Sequence, residues 1–483
     1  MSDARETLPE QETARPPEDD SAAALPLNPR EGVLPVVIPE EAIPRAALAT
    51  DPLPRVIARL ALPAIGSNLL MTLFVTVDLY WVGTRVGSEG LAAVTTSVFW
   101  VWIVISIAEM VSIGLTAVAA RRHGEGKHAD AAQTVGEALT YSLVLGTLIA
   151  IGGTLLLDLL FAAMQTSPEV TELGRRYLGT YLLGAPLLYG FFVVDAAFRA
   201  SGNTRTPFVL LVISVSVTIV LDPILILGLF GAPRLGITGA AIATVGTRGV
   251  AFLLGLALLH RLGLVRFSLP RLPTVATISR IGLPTAMTGI LFSLIYVAIT
   301  RVATDFGTPA LAALGIGHRV ESWLYMVGVG GGAAAAAIVG QNLGARRPER
   351  AAQAGWMTTG FASSLGLVMA IVQLAFAEEL AGIFTDDPAV VLEGASYLRI
   401  VAVSQLFLCA EVVLEGALGG AGDTVPPMLA STTITLARIP IAIWAASRWG
   451  TAGIWWTISL TAVARGVAML ILWRGGRWQR KSV

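Results

Sequence analysis

Ser201-Gly202-Asn203-Thr204, followed by Pro207, returns 220 residues later as Ala421-Gly422-Asp423-Thr424, followed by Pro427. Three further matches keep the same order and nearly the same offset. Leu62-Pro63 returns as Leu283-Pro284, 221 residues on. Arg121-Arg122-His123-Gly124 through Ala131-Ala132 returns as Asn342-Leu343-Gly344 through Ala351-Ala352. Arg248-Gly249-Val250-Ala251 returns as Arg465-Gly466-Val467-Ala468. Four ordered matches make the chain an internal duplication.

The stretches between these landmarks are apolar and long. Of 483 residues, 54% are hydrophobic and only 14% charged, against roughly 25% charged in soluble domains. Mean hydropathy is +0.72. A soluble enzyme is excluded on these grounds, and a β-barrel does not give continuous apolar runs. A membrane span needs about 20 apolar residues. Such runs fall near 56–83, 90–118, 133–162, 170–200, 206–230 and 236–260, then near 277–305, 309–341, 351–377, 389–420, 426–447 and 452–474. The expected fold is an all-α polytopic membrane protein. Twelve transmembrane helices form two six-helix lobes, a parallel pseudo-repeat around a central cleft. Six is even, so both copies enter the membrane from one side, and an axis along the membrane normal relates them. The expected divisions are a tail over 1–54, lobes over 55–265 and 277–475, a linker over 266–276, and a basic tail over 476–483.

Charge orients the chain. With the N-terminus inside, sixteen basic residues fall in inner loops and the C-terminal tail, among them Arg121, Arg122, Lys127, Arg346, Arg347 and Lys481. Five fall outside: Arg85, Arg175, Arg176, Arg234 and Arg448. Both termini are therefore expected in the cytoplasm, with the chain in the inner membrane. Residues 1–54 hold eleven acids and four bases, a net −7, and read as a disordered acidic, Pro-rich tail. No basic run supports nucleic-acid binding. The single cysteine, Cys409, rules out an intrachain disulfide, and no zinc pattern is present. Gly328, Gly330, Gly331 and Gly332 are not followed by a phosphate-binding Lys-Ser/Thr. A pump with its own ATPase is thereby set aside, and no cofactor is expected.

An ionisable group within the bilayer needs a partner or a wet cavity. Asp78 and Asp222 lie at similar depth in the first copy, in spans 1 and 5. Two such carboxylates share a cation or hold a proton, because burial and a like charge both disfavour two free anions. The competing reading makes Asp78 an interfacial residue and Asp222-Pro223 a helix break. Thr218, one turn before Asp222, offers a further oxygen, so a Na⁺ site at Asp78, Asp222 and Thr218 is the second form of the proposal. The second copy lacks the acid pair: Ile299-Thr300-Arg301 stands at the position of Asp78, Arg438 at that of Thr218, and Ala442 at that of Asp222. Glu109 and Glu411 are substrate-binding candidates. Tyr80 and Trp81 are aromatic candidates for stacking on a cation, against an ordinary place in the interfacial belt. Asp195 with Arg199, and Arg301 with Asp305, have the spacing of structural ion pairs. Arg319, Arg438, Glu321 and Glu411 read as a self-neutralising group, with Glu411 as the alternative second proton carrier.

Over nearly all of 55–475, the chain resembles the multidrug and toxic compound extrusion (MATE) transporters, most closely their bacterial DinF-like branch. The resemblance rests on Leu62-Pro63, Val77-Asp78-Leu79-Tyr80-Trp81-Val82-Gly83, Phe198-Arg199-Ala200-Ser201-Gly202-Asn203-Thr204, Val220-Leu221-Asp222-Pro223 and Leu235-Gly236-Ile237-Thr238-Gly239-Ala240-Ala241-Ile242-Ala243-Thr244. It implies alternating access of two lobes. It also implies export of organic cations in exchange for inward H⁺ or Na⁺, with Asp78 central to coupling and Asp222 beside it. The family often has Asn where Thr218 stands, and its Na⁺-coupled branch tends to carry an acid in span 7 that is missing here. Both departures favour H⁺. The expected partners are small organic cations and membrane lipids, and a monomer suffices. A lipid-linked precursor flippase of the wider superfamily and a dedicated metabolite exporter are the alternatives.

Overall fold

The structure is a computed structural model that describes residues 47–86, 88–164 and 167–481. Among them there are helices and connecting loops and no strand. In hydrocarbon a helix satisfies its own backbone groups, so long apolar runs have no cheaper conformation. The first half gives α1 (Leu53–Arg85), α2 (Ser88–Gly124), α3 (His128–Ala163), α4, α5 (Arg205–Leu227) and α6 (Ile237–Arg261). Helix α4 is Pro168–Leu183 continued, through a 50° bend, by Ala185–Ala200. The second half gives α7 (Leu272–Thr304), α8 (Thr308–Gly344), α9 (Pro348–Ala375) and α10 (Pro388–Val401, continued through one 3-10 turn into Gln405–Gly420).

The last helix, Val425–Arg474, is 50 residues long, or about 75 Å at 1.5 Å per residue. That is more than twice the hydrocarbon thickness of about 30 Å. It is broken at Gly450, whose φ of 61° and ψ of −143° are not helical, and so supplies α11 (425–449) and α12 (451–474). Gly236 holds the matching place before α6 with φ 57° and ψ −133°. Among the described residues, ten helices are long and apolar enough to span a membrane, and the bent α4 makes eleven. The break at Gly450 completes the expected twelve.

Large apolar side chains point outward along the helices: on α3, Leu148, Ile151 and Leu155 are 60%, 57% and 80% exposed. In water such a face would drive aggregation; against lipid it is the expected surface. Between the halves the packing is tight and depends on missing side chains. A Cβ on Gly282 of α7 would lie 1.8 Å from the Met110 carbonyl oxygen of α2, and one on Gly114 of α2 would lie 2.2 Å from that of Ile278 in α7. Gln341 Nε2 of α8 donates to the Ala200 carbonyl at 2.6 Å.

Both described chain ends meet this same end of the bundle. Residues 47–54 fall within the stretch expected to be disordered tail, yet Leu48 and Leu53 are buried against α8 and α9. Asn342 Nδ2 donates to the Leu48 carbonyl at 3.3 Å, and Arg350 donates to the carbonyls of Leu48 and Asp51. Apolar burial outweighs the polar composition here; the rest of the tail, 1–46, lies outside the described residues. The final basic segment also packs: Trp478 is buried and stacks on Trp473 at 3.9 Å, and Lys481 pairs with Asp423 at 3.2 Å. The connection from α6 to α7 lies along α3, where Arg266 N donates to the Ala132 carbonyl and Arg271 pairs with buried Glu137 at 2.6 Å.

Candidate functional site

Asp78 near the end of α1 and Asp222 on α5 are both buried, at 6% and 0% exposure. They are close enough for their charges to interact. Tyr177 of α4 lies within the fields of both. Neither oxygen of Asp222, nor Oδ1 of Asp78, has a hydrogen-bond partner among the described residues. Buried carboxylates without a donor or a counter-charge are costly, by several kcal/mol each. A proton or a small cation between them removes that cost.

Thr218 lies on the same helix but is engaged elsewhere. Its hydroxyl meets Thr247 Oγ1 of α6 at 2.6 Å and the Ser214 carbonyl at 2.8 Å. In the second half Arg438 stands at the repeat position of Thr218, and its Nε donates to Thr461 Oγ1 of α12 at 2.8 Å. In both copies a side-chain hydrogen bond thus joins the fifth and sixth helices from the same place on the fifth, with different chemistry and a partner one turn apart on the sixth.

The paired arginines show the same conservation of place. Arg248 donates to Met71 Sδ and lies over the Phe191 ring at 5.6 Å. Arg465 pairs with Glu411 at 3.0 Å and lies over the Phe292 ring at 5.8 Å. Met71 and Phe292 are repeat partners at the 221-residue offset, Phe191 and Glu411 at 220. So Glu411 is held in a buried ion pair with Arg465, while Arg319 is exposed and outside it.

Glu109 of α2 is half-buried and feels the charge of Arg199. It also acts on Tyr325 of α8, as do Glu411 and half-buried Glu415 of α10. Carboxylates from both halves thus act electrostatically on one tyrosine. Arg199 pairs with Asp195 at 2.7 Å and Arg301 with Asp305 at 3.1 Å, as their spacing required. Trp81 packs with the cluster of Val82, Ala93 and Val94. Tyr80 is on α1, but its side chain lies outside the described residues.

Sequence reasoning missed Tyr177, Tyr397, Thr247 and Gln405. Tyr177 and Tyr397 were findable, being repeat partners at the 220-residue offset. Tyr397 Oη donates to Glu321 Oε2 at 3.0 Å, and Gln405 Nε2 to Glu321 Oε1 at 3.2 Å. No group of three or more His, Cys, Asp or Glu that could hold a metal occurs among the described residues.

Twelve spans in two copies, with unpaired carboxylates buried between helices, define a membrane transporter. The MatE family model matches the chain twice, over residues 63–224 and 284–444. The chain belongs to this family of transporters; it is not an enzyme, and the family's multidrug exporters are its relatives. It is similar to the probable multidrug resistance protein NorM of Thermotoga maritima, with 30% identity over 440 residues, 88% of this chain and 93% of that one. It is also 30% identical over 362 residues to a protein named FAD transporter from Shewanella oneidensis, covering 74% of this chain and 80% of that one. The fold superposes on a MOP superfamily transporter from Pyrococcus furiosus with a TM-score of 0.84 at 23% identity, covering 91% of this chain and 99% of that one.

Proposed function

We propose that the protein is a secondary antiporter that exports amphiphilic organic cations in exchange for protons. One observation carries this reading: three buried oxygens of Asp78 and Asp222 have no hydrogen-bond donor among the described residues. Protonation neutralises the pair, and substrate leaves as the lobes change access. A Na⁺ ion would need several oxygens around it. Thr218, the hydroxyl one turn before Asp222, is committed to Thr247 and Ser214, which favours H⁺. Glu109, Glu411 and Glu415 around Tyr325 are the proposed contacts for the cationic substrate. The lobes divide at the 266–276 connection, both termini face the cytoplasm, the chain resides in the inner membrane, and a monomer performs the cycle.

Everted vesicles holding an imposed pH gradient test this. Adding ethidium should dissipate the gradient with wild type and not with Asp78→Asn. A response that requires an imposed Na⁺ gradient would transfer the coupling to Na⁺. Dissipation by Asp78→Asn at the wild-type rate and expression would refute the coupling role of Asp78. The relative named FAD transporter supports a second reading, a dedicated metabolite exporter; FAD efflux in the same vesicles without an ethidium response would favour it.

A further inference from the structure

The two halves reach for each other's chain ends. Arg121 and Asn342 are repeat partners, 221 residues apart, in the last turns of α2 and α8. Each donates to a backbone carbonyl of the other half's terminal segment. Arg121 Nη2 donates to the Lys481 carbonyl at 2.9 Å. Asn342 Nδ2 donates to that of Leu48 at 3.3 Å. Arg350, in the first turn of α9, adds donors to the Leu48 and Asp51 carbonyls. The segment before α1 thus crosses to the second half, and the segment after α12 crosses to the first.

Each segment is also rooted in its own half. Trp478 is buried among second-half side chains, and its Nε1 donates to the Trp473 carbonyl at 2.9 Å. Lys481 Nζ pairs with Asp423 Oδ1 at 3.2 Å. Asp423 stands at the repeat position of Asn203. Asn203 is satisfied inside its own turn, accepting from Thr206 N at 3.1 Å and donating to Thr206 Oγ1 at 2.8 Å. Asp423, 4% exposed, takes a counter-charge from the chain end instead, as a buried carboxylate requires. In the first half, Leu48 lies against Gly202, where an added Cβ would come 3.1 Å from Leu48 Cδ1. Between these roots the halves touch at their backbones. A Cβ on Gly124 would lie 2.0 Å from the Gln341 carbonyl oxygen, and one on Gly344 would lie 2.1 Å from that of Arg121. This end of the bundle is closed, and both chain ends bridge the closure.

We propose that the two chain ends are crossed straps that hold the halves together here, and that the transporter releases them to open at this end. The inference rests on the alternating-access reading above and assigns the contacts that oppose one of its two openings. Opening here parts α2 from α8, so Arg121 and Asn342 leave the carbonyls they bond. Trp478 keeps the C-terminal strap on the second half, so the bond from Arg121 is the one that breaks. One such bond, exchanged for water on opening, favours the closed state by about fivefold. That biases the resting population, yet a ligand with a modest preference for the open state reverses it.

Double electron–electron resonance on the protein in nanodiscs tests this. Spin labels go on Ala129→Cys in α3 and Glu349→Cys in α9, both exposed at this end; Cys409 is buried. Ending the chain at Gln479 removes Lys481 and leaves Trp478 on its stack. Arg121→Met removes the donor from the other side. Each change should raise the long-distance fraction about fivefold, and the two together should do no more than either alone. Asp423→Asn, which loosens Lys481 without touching the first half, should shift the distances the same way. Unchanged distances in the truncated chain and in Arg121→Met, or additive effects of the two, would overturn the straps. Ethidium and acidification separate this from the access reading. If either moves the distances in wild type while the variants match wild type, only the straps fail. If neither moves them in any chain, the truncated one included, the access reading fails and the straps fall with it.

Discussion

Removing Arg465 while keeping Glu411 should cost far more than removing both charges. The pair is 3.0 Å apart, with side-chain exposures of 9% and 5%. At an effective dielectric of about 20, such a pair is worth about 5.5 kcal/mol of attraction, most of which offsets the desolvation of the two ions. Arg465→Gln removes the attraction and leaves the desolvation, so about 3–5 kcal/mol of stability should be lost. Glu415, one turn along α10, adds repulsion by placing a second carboxylate beside the abandoned one. Glu411→Gln should cost a similar amount by stranding the guanidinium. The double variant should recover about 2–3 kcal/mol relative to the sum of the singles. Chemical unfolding of the purified protein in mixed micelles, followed by tryptophan fluorescence, measures this cycle. Additive losses within about 0.5 kcal/mol would refute the pair as an energetic unit.

Backbone contacts give two further expectations. Gly282→Ala places a methyl 1.8 Å from the Met110 carbonyl oxygen. Helices α2 and α7 must then separate by about 1–1.5 Å, at about 3 kcal/mol or more. Gly152→Ala, whose Cβ meets nothing within 4 Å, should be neutral or slightly stabilising; thermal unfolding of the two variants compares them, and equal midpoints would contradict the close approach. Gly450→Ala forces an alanine into φ 61°, ψ −143°, a region nearly restricted to glycine, at about 1–3 kcal/mol. Gly236→Ala should show the same loss, and a stable Gly450→Ala with unchanged helix content would argue against the break between α11 and α12.

The span pattern was legible because apolar length is set by bilayer thickness, and each of the twelve expected runs falls on a helix. The pairs Asp195–Arg199 and Arg301–Asp305 were legible because they lie on one helix at a fixed spacing. Contacts between helices were not. A helix that is apolar on most of its circumference carries little signal for which face meets a neighbour, so nothing local joined Glu411 to Arg465 or Thr218 to Thr247. The repeat held part of that information: Tyr177 predicts Tyr397, and the surroundings of Arg248 predict those of Arg465. The packed ends were missed for another reason. Leu48, Leu53 and Trp478 sit among charged and small residues, and average composition hides single apolar anchors.

Asp78 and Asp222 are proposed to couple substrate movement to an ion gradient without holding the substrate. Reconstituted vesicles separate these functions, since substrate counterflow needs binding and alternating access but no gradient. In Asp78→Asn and Asp222→Asn, counterflow of labelled ethidium should persist while pH-gradient-driven accumulation is lost. Accumulation at the wild-type level in both variants, or loss of counterflow together with accumulation in a folded protein, would contradict the account.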